Sequence, residues 1–181
     1  MRDKRFIAEH RGGSLKKEQH QQLQLWACAC AGNVLPLFGK TTDQRLIHAL
    51  YVAREWTRAR ASAGDARKAA LDALTVARIL TDPCKIAVAR SLGHAAATAH
   101  MADHALRAAE YALKACKLAN KSIETEREWQ DKQLPPDIAE LVITARDKSS
   151  SLASDKTKPP GRKTVKMNYK PILPDNKSQK L

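Results

Sequence analysis

The sequence predicts an all-α protein: a single antiparallel bundle of six or seven helices followed by a disordered, basic C-terminal tail. Three observations lead there. Apolar residues between about 15 and 147 recur at steps of three and four, and no run alternates as a strand would. Between Ala61 and Ala119, 20 of 59 residues are alanine, the strongest helix former. After Ser149-Ser150-Ser151, Pro159, Pro160, Pro171 and Pro174 stand among lysines with few large apolar side chains. Such a segment buries too little surface to offset the entropy of ordering it. The expected division is a helical domain over 1–148 and a basic tail over 149–181.

Residues 1–14 are polar and end in Gly12-Gly13-Ser14. Ser14 is placed to cap a first helix, roughly 15–35. Leu23, Trp26, Ala27, Cys30 and Val34 form that helix's stripe, and Pro36 and Gly39 end it. Thr42 or Asp43 caps a second, roughly 43–60, striped by Leu46, Ala49, Leu50, Ala53 and Trp56. A turn at Ser62-Ala63-Gly64-Asp65 opens the third, roughly 65–80, with Ala66, Ala70, Ala73, Ala77 and Leu80 inward. Asp82 caps the fourth, and Pro83 suits its first position because the missing donor would be unpaired there anyway. The pattern from Ile86 to Leu118 is too long for one globular helix, so a break is expected near Thr98–Asp103, with Asp103 capping the fifth. Ser122 caps a sixth, roughly 123–133. Leu134-Pro135-Pro136-Asp137 opens the seventh, roughly 136–147, with Ile138, Leu141, Val142 and Ala145 inward.

The net charge is +13, and residues 148–181 hold nine Lys or Arg against two Asp, or +7 of it. Nine spread cations bind any polyanion in a salt-dependent way. No apolar run approaches the roughly 18 residues that suggest a membrane span. The N-terminus shows no secretory pattern. Cys28, Cys30, Cys84 and Cys116 make no CxxC pair, so reduced thiols in a cytoplasmic protein are expected.

Each local motif has a plain alternative. Gly39-Lys40-Thr41 resembles the end of a phosphate-binding loop, but Val34 stands where the first glycine belongs, and a helix precedes it. Tyr51, Arg54 and Arg58, with Trp56 nearby, make a basic helix face suited to protein or nucleic acid; the alternative is a solvated face with arginines paired to Glu55. His100 and His104 sit one turn apart, with His94 near enough to be a third ligand. Met101 occupies the place of the catalytic glutamate, and the expected break would part the two side chains. A structural polar knot, or partner contact through His100, Asp103 and His104, is expected rather than a metal site. No cofactor is expected, and no complete catalytic motif is present.

Taken together, several segments resemble one family. They are Asp3-Lys4-Arg5-Phe6-Ile7-Ala8-Glu9-His10-Arg11-Gly12-Gly13, Leu25-Trp26-Ala27-Cys28 and Val34-Leu35-Pro36-Leu37-Phe38. To these add Ala95-Ala96-Ala97-Thr98-Ala99-His100-Met101-Ala102-Asp103-His104-Ala105-Leu106, and Glu128-Trp129-Gln130 before Leu134-Pro135. The chain is similar, over roughly 3–147, to the bacterial putative immunity proteins of polymorphic toxin systems. The resemblance implies an all-α, non-enzymatic protein that binds and neutralises a cognate toxin. Many such proteins are acidic, so the positive charge leaves open a toxin with an acidic face or a role outside toxin neutralisation. The rival reading is an accessory nucleic-acid-binding protein using residues 149–181 and the Arg54/Arg58 face. Oligomeric state is not readable from the sequence.

Overall fold

The computed structural model describes residues 3–155. Among them are seven α-helices: α1 (Lys17–Val34), α2 (Gln44–Thr57), α3 (Ala63–Ile79), α4 (Pro83–Ala97), α5 (His104–Leu118), α6 (Ile123–Lys132) and α7 (Pro136–Asp155). Helix α4 lies at the centre, packed against α1, α2, α3 and α5. Its buried residues explain how four helices reach it: apart from Val88 and Leu92, all of them, Ala87, Ala89, Ser91, Gly93, Ala95, Ala96 and Ala97, are small. The Ser91 hydroxyl reaches across to the Ala108 carbonyl at 2.8 Å. A Cβ on Gly93 would stand 2.9 Å from Leu74 Cγ, so α3 crosses α4 where no side chain intervenes.

The apolar stripes behave as expected. Leu23, Trp26, Ala27, Cys30 and Val34 are buried on α1, Leu46, Ala49, Leu50 and Ala53 on α2, and Ile138, Val142 and Ala145 on α7. Four expected caps form. Asp43, Ser62, Asp82 and Ser122 accept from the amides of Arg45, Asp65, Lys85 and Thr125 at 2.9–3.0 Å. The break between α4 and α5 falls at 98–103.

Four expectations need correction. Ser14 does not cap α1. The Leu15 amide donates to the Ile7 carbonyl at 3.0 Å, so the chain is still extended there, and Lys16 is the cap, its amide held by the Gln19 side chain. Asp103 makes no capping bond to α5, because its own backbone is already helical (φ −65°, ψ −15°). The stretch before α1 is also no mere polar leader. Short 3-10 turns at Lys4–Phe6 and Glu9–Arg11 bury Phe6, Ala8 and Leu15 against the bundle. Gly12 takes a left-handed φ of +77°, and a Cβ on Gly13 would collide with Ile7 backbone at 1.8 Å. The seventh helix, expected over roughly 136–147, runs on to Asp155, so the expected tail is helical over 149–155; residues 156–181 lie outside the described residues.

A buried polar hub ties α1, α5, α6 and α7. Trp26 Nε1 donates to the Gln130 carbonyl at 2.9 Å, and Gln130 Nε2 donates to Glu126 and to the Ala109 carbonyl. Arg146 donates to both Gln130 and Asp131, its guanidinium 4.9 Å from the Trp26 ring centre.

Candidate functional site

Helix α2 buries Leu46, Ala49, Leu50 and Ala53, so its phase turns Ile47, Tyr51, Arg54 and Arg58 outward. Tyr51 is 59% exposed and Ile47 40%. His48 stacks on Tyr51, ring centres 6.4 Å apart. Arg58 donates to Glu55 at 2.8 Å and Arg60 lies 3.8 Å from the same carboxylate, so one buried acid faces two arginines. The expected pairing with Glu55 thus holds for Arg58. Arg54 instead lies over Gly32 of α1, where only a hydrogen stands.

The second predicted set lies on the α4–α5 turn. The break there does not part His100 from His104: their ring centres are 5.3 Å apart. His94 joins them, its Nδ1 3.1 Å from His104 Nδ1, so one of the two nitrogens carries the bridging proton and the other accepts it. Tyr111 stacks on His94, ring centres 5.3 Å apart and 6° from parallel, and Arg90 lies over Tyr111. Burial, then the charges of His104, Arg107 and Arg90, pushes His94 down to about 4. Burial, then His104, Arg67 and Arg11, also lowers His100, whose Nδ1 is buried without a partner; Asp103 opposes this. Among the described residues, no three His, Cys, Asp or Glu side chains are grouped to hold a metal ion.

Sequence reading missed that this turn meets the segment before α1. His20, on the first turns of α1, donates from Nε2 to the Thr98 carbonyl at 2.7 Å, and its ring lies 4.9 Å from that of Trp56 at the end of α2. A small cavity is lined by Phe6, His10, Arg11, His20, His100 and Met101. A cleft of about 370 Å³ opens beside it, between Ala8–Leu15, Lys17, His20 and Trp56. One end of the bundle therefore gathers His10, His20, His94, His100 and His104, five of the six histidines in the chain. The signal lay in where the histidines fall along the chain, but only tertiary packing brings residues 10, 20 and 94–104 together.

The cysteines offer no reactive thiolate. All four are unbonded, and burial pushes Cys28 and Cys116 up to about 11 and raises Cys30 and Cys84. No helix among the described residues is long and apolar enough to cross a membrane.

Compared with known families, residues 13–137 match the model described as Imm-5 like putative immunity protein. Neither the curated proteins nor the solved structures yield a match.

Proposed function

The chain belongs to the Imm-5 like putative immunity protein family, and on that premise we propose that it neutralises a cognate bacterial toxin by stoichiometric binding rather than by catalysis. The family match is the observation that carries this reading. The surface that fits it is the outward stripe of α2. Tyr51 and Arg54 stand there on a rigid helix whose other face is locked in the core, and Tyr and Arg are the residues that dominate binding energy at interfaces. His100, Asp103 and His104, on the turn between α4 and α5, are a second candidate contact. The positive sign calls for an acidic toxin face, which would speed association at low salt. We place this interaction in the cytoplasm, consistent with four unbonded thiols.

The test is to mix the purified chain with a toxin encoded beside its gene and titrate by calorimetry. A 1:1 complex is expected. Tyr51→Ala should weaken it by about 2 kcal/mol or more, with the melting temperature unmoved. An unchanged affinity would remove α2 from the interface, and no complex would remove the reading. Residues 149–181 carry a second reading, nucleic-acid binding, on charge alone. Affinity for DNA that falls steeply with salt, and survives in the isolated tail, would support it.

A further inference from the structure

The cleft of about 370 Å³ beside His20 plays no part in the toxin-binding reading. Its volume falls in the range that accepts small organic ligands, roughly 300–1,000 Å³. Ala8, Leu15 and the Trp56 ring give it apolar walls, and the polar groups are few. Lys17 and His20 are three residues apart on α1, hence neighbours on one face. His10 and Glu9 come from the opposing loop. His20 donates from Nε2 to the Thr98 carbonyl, so the nitrogen left for a ligand is Nδ1, an acceptor. Burial lowers the proton affinity of that ring, against the opposing pull of its bond to Thr98. Lys17 stands at the first position of α1, where the unpaired amides of the helix add positive potential. Glu9 is the single acid of the lining.

We infer that this cleft binds a small aromatic acid: the ring lies against Trp56 and Leu15, a hydroxyl donates to His20 Nδ1, and the carboxylate meets Lys17. Neither the apolar walls nor Lys17 and His20 alone would select such a molecule; the combination selects its body, its donor and its charge. The site does not depend on any toxin, so it is tested without one.

The probe is 4-hydroxyphenylacetate, titrated into the full chain and followed by tryptophan fluorescence and histidine ring NMR signals. Saturable binding with a dissociation constant on the order of 1 mM is expected for a probe of this size. Lys17→Glu should weaken it by about ten-fold, as should replacing the carboxylate by an amide. An acid at this position suits the start of a helix, so lost binding would not reflect unfolding. No saturation up to roughly 20 mM, or equal affinity in the Lys17→Glu chain, would overturn the assignment.

Discussion

Trp26 is held from three sides: the core closes over it, the Gln130 backbone carbonyl accepts from its indole N–H and Arg146 covers its ring. Trp26→Ala should therefore cost about 3–5 kcal/mol in urea denaturation, as for other buried aromatics. A cost under about 1 kcal/mol would mean that the hub carries no stability. The histidines predict a pH dependence. The folded-state pKa values of His94, His100 and His20 all lie below the ordinary 6.5. Below 6.5 the unfolded chain therefore binds more protons, and stability falls as pH drops, continuing for His94 down to about 4. The groups around the cluster, Arg90, Arg107, Arg67 and Arg11 against Asp103, are mostly cationic and act in the same direction. Melting temperature should fall steadily from pH 7 to pH 4, and His94→Gln should flatten the slope. A flat profile in the unaltered chain would contradict the buried His94–His104 pair.

Among the elements, the α3–α4 crossing is the tightest test. Gly93→Val would push a branched side chain into Leu74 and towards the Ala70 carbonyl. Overpacking of this kind costs about 1–3 kcal/mol. Gly64→Ala, whose Cβ would meet only the Ser62 hydroxyl at 3.4 Å, should instead be neutral or mildly stabilising. Denaturation midpoints of the two variants should move in opposite senses or differ clearly; equal shifts would mean that α3 and α4 do not cross at Gly93. The helices were legible because each carries several turns of 3.6-residue periodicity, and Asp43, Ser62, Asp82 and Ser122 mark their starts. The segment before α1 was not, because 3-10 turns of three residues leave no period for Phe6 and Leu15 to reveal. Ser14 and Asp103 are cap-forming residue types that form no cap, because capping depends on the backbone conformation and not on residue type alone. The exposure of Tyr51, Arg54 and Arg58 followed from helix phase. The meeting of His20 with Thr98 spans 78 positions in sequence, and no local pattern encodes it.

At the scale of the whole molecule, small residues bring α1, α2, α3 and α5 close around α4, leaving a rigid frame. One side of that frame presents the α2 stripe, and one end presents the histidines and the cleft. A preorganised surface with Tyr and Arg on it loses little entropy on binding, which suits the proposed role of holding a partner. Its charge suits an acidic partner. The family match places the chain among Imm-5 like putative immunity proteins, and in the proposed reading the α2 stripe is the surface that would meet the toxin. The most direct test is protection. A toxin encoded beside the chain's gene is expressed in a bacterial host together with this chain or with its Tyr51→Ala, Arg54→Glu double variant, and growth is followed. The account predicts that the unaltered chain restores growth, and that the double variant, folded to the same melting temperature, fails to do so. Growth arrest with the unaltered chain present, or full protection by the double variant, would contradict it.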